Sequence, residues 1–394
     1  MTATRDSQVS TGSAALHVAF ELGLGEWKLG FTIGPAQAAR MRTVGALDGE
    51  AVLREIARAK VKFGLAADAP VRSCYEAGRD GFWLHRWLLA QGIDNVIVDS
   101  ASIEVNRRQR RAKSDRLDAD KLARMLVRYH QGEHKIWSVV RVPAEAAEDR
   151  RQLHRELESL KDERTEHTNR IKGLLYSQGI VVAVVDEDFA ERLPTLRTWH
   201  DQSVGLDLQA RLVRELERWR QVHRQILDLE NQRRQRITAD QTPQVDKVRR
   251  LLELRGIGLS GSWLLVQELF GWRSIANRRQ LAALVGLTPT PYSSGQSQRE
   301  QGISKAGSRR LRRLLVELAW GWLRFQPGSV LTKWFTSRFD RGQRHRKIGI
   351  VAVARKLLIA LWRWVEHGEA PPGALLVSWR PKVGLKAKAA EAAA

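Results

Sequence analysis

The sequence predicts a mixed α/β first part followed by a mainly helical remainder, and two patterns carry that prediction. Short apolar runs with glycines between them fill roughly the first 140 residues, as in strands that alternate with helices. Beyond this part, apolar residues instead recur every three to four positions, which is typical of amphipathic helices. With 394 residues, 43% of them hydrophobic, the chain can form two or three domains with buried cores.

In the first part, the order of the elements predicts the fold. The predicted strands are residues 16–21, 27–33, 39–44, 71–75 and 95–98. Predicted helices at 48–63 and 81–91 separate the last strands, and a third helix follows them. Three strands, then helix, strand, helix, strand and helix, is the element order of the RNase H-like (RuvC-like) fold.

Two long amphipathic helices are predicted after residue 144. Their apolar seam is formed by Leu153, Leu157, Leu160, Ile171 and Leu174, and then by Leu212, Leu216, Trp219 and Ile226. This spacing predicts a coiled-coil arm, with two ordinary bundle helices as the alternative because polar residues interrupt the seam. After Pro243, the closely spaced Gly256 and Gly258 predict a turn between short helices, and residues 289–295 predict a loop.

These patterns divide the chain into five segments. They are a disordered N-terminus (1–13), an RNase H-like α/β domain (14–142), a coiled-coil or helical arm (143–242), a mainly helical C-terminal domain (243–368) and a solvated tail (369–394). Helices at 308–322 and 350–365 are predicted within the C-terminal domain.

Composition and charge restrict the possible functions. The formal net charge of +22 and the pI near 10.8 predict a polyanionic partner such as nucleic acid. No apolar run reaches the roughly 18 residues of a membrane span, and the polar N-terminus does not resemble a signal peptide, so we expect a cytoplasmic protein. A single cysteine, Cys74, excludes an internal disulfide and a cysteine-based zinc site.

Four acidic residues predict a metal site. Glu21 and Glu76 each end a predicted strand, and Asp115 and Asp118 lie three residues apart at the start of a predicted helix. Clustered carboxylates repel one another unless cations neutralise them, and oxygen ligands favour Mg²⁺ or Mn²⁺. Such ions can activate the attacking group and stabilise the leaving group at a phosphodiester. A helix cap is the alternative role for Asp115 taken alone.

Two basic segments are candidate nucleic-acid contacts. The first comprises Arg107, Arg108, Arg110, Arg111 and Lys113, directly before the acid pair. The second comprises Lys305, Arg309, Arg310, Arg312 and Arg313. Both are expected to hold a phosphate backbone, although a solvated charged surface is the alternative. Between them, Ser293 and Ser294 precede Gly295, where a serine could present its hydroxyl to a phosphate or simply belong to a loop.

Together these motifs resemble the DEDD-type insertion-sequence transposases, which include Piv-like invertases and bridge-RNA-guided recombinases. The segment from Lys113 to Ala119 resembles the family's Lys-Thr-Asp-x-x-Asp-Ala signature, so the tetrad falls on Glu21, Glu76, Asp115 and Asp118. The resemblance continues over residues 248–325. Glu21 departs from the usual Asp, and Glu26 is its rival.

The resemblance implies a magnesium-dependent DNA transposase. It also implies Ser294, or Ser293, as a nucleophile that forms a phosphoserine–DNA intermediate. The implied partners are double-stranded donor and target DNA, a structured noncoding guide RNA, and further copies of the chain, as a dimer that assembles to a tetramer. Two alternatives stay open: a RuvC-like metal nuclease or junction resolvase without a covalent intermediate, and an inactive nucleic-acid-binding scaffold.

Overall fold

A computed structural model of the chain describes residues 14–78, 81–103, 115–294, 297–339 and 342–379. The basic residues from Arg107 to Lys113 therefore lie outside the described residues, as do the predicted disordered N-terminus and the end of the tail. The chain divides into two compact units between Val142 and Pro143. Each unit is described by itself.

Unit 1 is built on a five-stranded sheet. Its elements in chain order are β1 (Leu16–Leu22), β2 (Glu26–Thr32), β3 (Arg40–Gly45), α1 (Gly49–Lys62), β4 (Val71–Glu76), α2 (Trp83–Ala90), β5 (Asp94–Val98) and α3 (Asp115–His130). The strand order across the sheet is β3-β2-β1-β4-β5. The first three strands are antiparallel neighbours, while β4 and β5 run parallel to β1. The predicted element order is confirmed, and the mixed sheet is consistent with an RNase H-like domain.

Helices cover both faces of this sheet, because its central strands are apolar on both sides. One face carries Val18, Phe20 and Tyr75, which pack with the buried side chains of α1 and α2. On the other face, the small side chains of Ala19 and Cys74 pack against α3. Side chains alternate between faces along a strand, so odd-numbered residues of β1 and even-numbered residues of β4 face α3.

Helix α3 crosses its face of the sheet antiparallel to β1. At the start of β1, the imidazole ring of His17 lies 5.8 Å from that of His130 near the helix C-terminus. Gly30, the β2 partner of Ala19, lies under Ala119, and a Cβ at position 30 would meet the carbonyl oxygen of Ala119 at 3.1 Å. The first turn of α3 is therefore placed toward the carboxyl ends of β1 and β4.

Unit 2 begins with two long helices that pack against each other. In chain order, this part contains α4 (Glu145–Asp149), α5 (Gln152–Tyr176), α6 (Phe189–Arg192) and α7 (Leu206–Ala239). Helices α5 and α7 are antiparallel: Lys161 near the start of α5 pairs with Glu230 near the end of α7, whereas Ile171 and Leu175 pack with the start of α7. Polar groups also enter the seam, because buried Glu215 accepts a hydrogen bond from His167 at 2.5 Å.

The remainder of unit 2 is mainly helical. It contains α8 (Pro243–Leu252), α9 (Leu259–Leu265) with a π-helical turn (Val266–Phe270), α10 (Arg278–Leu284), β6 (Pro289–Ser294), β7 (Ser297–Ile303), α11 (Arg309–Phe325), α12 (Val330–Phe339) and α13 (Gln343–His367). The turn predicted at Gly256 and Gly258 is confirmed. Gly256 has a φ of 91°, in the left-handed region that glycine adopts without strain.

Two sequence expectations in this part need correction. Within the segment predicted as a loop, Pro289–Ser294 instead form strand β6, which pairs with β7 as an antiparallel hairpin, and Gly295 lies outside the described residues. Both strands are edges of a two-stranded sheet, so the missing N–H groups of Pro289 and Pro291 are tolerated. In the segment predicted as the start of a solvated tail, Leu375 and Val377 instead make backbone hydrogen bonds to Arg255 and Glu253.

Candidate metal centre and nucleic-acid interface

Glu21 and Glu76 are neighbours at the carboxyl ends of the adjacent central strands β1 and β4. The β1–β4 register pairs Phe20 with Tyr75, so the next residue of each strand lies at the same level. Both glutamates occupy positions on the face that packs against α3, and both are half-buried. The register therefore places the two strand-end acids side by side, and their joint role as metal ligands stays a prediction.

The first turn of α3 places Asp115 and Asp118 toward these carboxyl ends of the strands. Asp115 begins the helix and Asp118 follows one turn later. Each lies four residues before a buried residue of the sheet-facing stripe, Ala119 or Leu122, so both occupy that stripe. The structure describes the side chain of Asp118 as half-buried but does not describe that of Asp115.

The surroundings of Glu21 differ from those of two other acids of unit 1, Glu26 and Asp120. In the β1–β2 register Lys28 lies opposite Glu21, which places a cation on the same face. Glu26, the rival for the first position, is exposed at the β1–β2 turn. Asp120 belongs to a different contact, because its carboxylate accepts a hydrogen bond from the Ala39 backbone at 2.6 Å and pairs with Arg124 at 2.7 Å.

The chemistry of these donors fits a hard divalent cation. All four candidate ligands offer carboxylate oxygens, which Mg²⁺ and Mn²⁺ prefer. Cys74 lies close by in sequence but is fully buried, and burial raises the pKa of its thiol far above the ordinary value. Among the side chains that the structure describes, no three acidic, histidine or cysteine groups come close enough to hold one ion. Glu21, Glu76 and Asp118 are among these described side chains, so they do not by themselves form an ion site, and the four-carboxylate site stays a prediction.

The basic residues of the second segment differ in their surroundings. Arg310 is engaged within the fold, because it pairs with Glu158 at 2.5 Å and with Glu268 at 3.4 Å. Arg312 donates a hydrogen bond to the Val285 carbonyl at 3.0 Å. Lys305, Arg309 and Arg313 are exposed. Arg310 and Arg312 are half-buried, so Lys305, Arg309 and Arg313 are the most exposed of the five predicted contacts.

A buried carboxylate that sequence reasoning missed organises the junction of α5, the π-helical turn and α11. Glu268 accepts hydrogen bonds from His154 at 2.9 Å and from Arg155 at 3.0 Å, and Arg151 lies 3.7 Å away. Burial alone would raise the pKa of Glu268, but these hydrogen bonds outweigh it and lower the pKa to about 2. No local pattern signals this cluster, because Glu268 lies 114 residues from His154 and 113 from Arg155 in the sequence.

Two family profiles match the chain. A DEDD transposase domain of the IS110 type matches residues 52–178, and the profile described as "Transposase IS116/IS110/IS902 family" matches residues 248–332. A Sinorhizobium fredii protein named "Putative transposase y4rJ" is 39% identical over 92% of this chain and 94% of its own length. The chain belongs to the IS116/IS110/IS902 transposase family.

Other relatives agree with this assignment. The transposase for insertion sequence element IS1328 of Yersinia enterocolitica is 32% identical over 53% of the chain and 60% of its own length. The transposase for element IS1111A of Coxiella burnetii is 26% identical over 72% of the chain and 75% of its own length. The DEDD match includes Glu76, Asp115 and Asp118 but begins after Glu21. As a transposase, the chain binds DNA, cleaves it and transfers strands, and its DEDD-type domain uses divalent metal.

The predicted serine mechanism is corrected by these matches. A DEDD-type domain points to metal-dependent chemistry through carboxylates rather than to a serine nucleophile, so the phosphoserine–DNA intermediate on Ser294 is not retained. The structure places both Ser293 and Ser294 within strand β6, not in the loop that their neighbours Pro291 and Gly295 predict. The same family matches do not support assignment to the Piv-like serine-recombinase subtype.

No described helix is long and apolar enough to cross a membrane.

Proposed function

We propose that this transposase cuts and joins DNA at the carboxyl ends of β1 and β4 in unit 1. In this proposal Mg²⁺ is bound by Glu21, Glu76, Asp115 and Asp118, and no covalent protein–DNA intermediate forms. The observation that carries the proposal is the shared level of Glu21 and Glu76 beside the first turn of α3. Mg²⁺ bound there would lower the pKa of an attacking hydroxyl group and neutralise the leaving oxygen.

The protein's own residues have distinct parts in this proposal. The register of β1 and β4 holds two carboxylates on adjacent strands, where neither backbone can shift without disturbing the sheet. Gly30 permits the close approach of α3 to the sheet, and this approach sets the distance between the first turn of α3 and the strands. Arg107, Arg108, Arg110, Arg111 and Lys113 precede this turn in sequence, and we propose that they hold the DNA backbone beside the metal.

A Ser294→Ala variant tests the absence of a covalent step. We expect it to cleave labelled DNA carrying the element's ends at the wild-type rate, because the carboxylates activate the attacking group. Wild-type reactions with Mg²⁺, stopped in denaturant, should contain cleaved DNA and no protein-linked DNA. A denaturant-resistant adduct that Ser294→Ala abolishes and Ser293→Ala retains would contradict this proposal.

We further propose that copies of the chain associate through the end of the α5–α7 pair. Large apolar side chains are exposed there, namely those of Tyr176, Val181, Val184, Trp199 and Leu206. Trp199 is 80% exposed although its Cβ packs against Gly179. Exposed apolar surface of this kind marks protein–protein contacts. A dimer that assembles to a tetramer would bury this apolar surface. A structured noncoding RNA is proposed as a further partner, because of the family resemblance and the positive net charge.

Substitution of the exposed tryptophan tests the association. Trp199→Ser should weaken self-association at least about tenfold, since a buried aromatic anchor contributes about 2 kcal/mol or more to an interface. The measurement is the molar mass by light scattering across a concentration series. Val61→Ser on α1 removes an apolar side chain of similar exposure, 81%, and serves as the control. An unchanged mass for Trp199→Ser would exclude this end of the pair as the interface.

A further inference from the structure

The last two helices of unit 2 carry an unusually one-sided charge. Helices α12 and α13 contain eight Lys and Arg residues and one acidic residue, Glu366. Helix α7 offers a comparison, because its arginines alternate with five acidic residues. Mixed charges are usual on a solvated helix, so the segregation on α12 and α13 calls for a partner of opposite charge.

The densest part of this charge lies where α12 meets α13. We define the α12–α13 basic patch as Arg338, Arg344, Arg346 and Lys347, all of which are exposed. Helices α12 and α13 pack against each other here, because the Phe339 ring lies directly over Gly349, where a Cβ would meet the ring at 2.4 Å. Arg338 precedes that ring, and the other three residues occupy the turns of α13 just before it.

Helix stability does not explain the placement of Arg344 and Lys347 at the start of α13. Arg344, Arg346 and Lys347 lie in the first two turns of α13, and the first turn contains no acidic residue. Cations at a helix N-terminus are repelled by the positive end of the helix dipole. Within the described part of the chain, Arg344 and Lys347 make no ion pair. Their positive charge and the free N–H groups of the helix start instead favour the same ligand, an anion.

We propose that the α12–α13 basic patch binds the phosphate backbone of double-stranded DNA. The choice of DNA rests on the proposed function, in which DNA is the polyanion that the protein must hold during cutting and joining. Farther along α13, Arg355 lies three turns after Arg344 on the same side of the helix, whereas the ammonium group of Lys356 lies 4.5 Å from the centre of the Trp334 ring. A helix that carries cations over several turns can follow a strand backbone without reading bases.

The test compares two triple variants of the full chain. The patch variant carries Arg338→Gln, Arg344→Gln and Lys347→Gln, and the control carries Arg211→Gln, Arg214→Gln and Arg224→Gln on α7. Both remove three exposed positive charges from unit 2. Binding to a labelled 30-base-pair duplex is measured without Mg²⁺ over a salt series, and thermal melting verifies that both variants fold.

The patch variant should bind more weakly and flatten the slope of log affinity against log salt by about 2 to 3, since each phosphate contact contributes about 0.9. The control should change the slope by less than about 1. Equal slopes for both variants would overturn the proposal, as would a patch variant that loses affinity only for a structured RNA. No cleavage is measured in this test, so its result does not depend on whether the proposed cutting and joining chemistry is correct.

Discussion

Asp118→Asn should reduce magnesium-dependent strand cleavage by about a thousandfold while the affinity for DNA changes little. Loss of one metal ligand removes several kcal/mol of transition-state stabilisation, and each ~1.4 kcal/mol is a factor of ten in rate. DNA binding depends mainly on cations, so it should survive the loss of one negative charge. Single-turnover cleavage of end-labelled DNA and a parallel binding titration measure the two effects.

Asp120→Asn is the matched control for this experiment. The two aspartates lie on the same helix, but the carboxylate of Asp120 ties α3 to the Ala39 backbone and to Arg124. The control should lower the melting temperature slightly and leave cleavage close to wild type. Equal loss in both variants would show that Asp118 acts through the stability of α3, and normal cleavage by Asp118→Asn would remove it from the proposed metal site.

Glu268→Gln should be the most destabilising single substitution in unit 2 among those considered. The carboxylate neutralises the buried Arg151 and accepts hydrogen bonds from His154 and Arg155. Removal of one partner from a buried ion pair typically costs about 3–5 kcal/mol, because the remaining charge is left uncompensated. Such a loss lowers the melting temperature by about 10 °C in a unit of this size, as measured by calorimetry.

The control for this effect is Glu317→Gln. Glu317 pairs with Arg313 on the exposed surface of α11, where an ion pair contributes about 0–1 kcal/mol. Similar melting temperatures for the two variants would contradict a stabilising role for the Glu268 cluster. Because the pKa of Glu268 is lowered, its contribution is fully present above its ordinary value near 4.5 and is lost as the pH falls toward about 2. The stability difference between wild type and Glu268→Gln should therefore shrink over that pH range.

Local pattern was sufficient to predict the order of elements in unit 1. Strands and helices there follow apolar periodicity, which depends on near neighbours in sequence, and the structure places β1 to β5 and α1 close to the predicted bounds. The hairpin of β6 and β7 was not predicted, because its strands contain prolines and polar residues and are stabilised by pairing with each other rather than by burial of an apolar face.

For the candidate site, sequence alone determined the residue types: two acids at strand ends, an acid pair one turn apart on a helix, and a large excess of positive charge. It also determined the family, which the matched profiles show. Only the tertiary structure decided which residues meet. The register sets Glu21 beside Glu76, the antiparallel path of α3 places its first turn toward the same ends of the strands, and Glu268 pairs with cations from distant helices. These contacts depend on long-range packing, which no local spacing in the chain encodes.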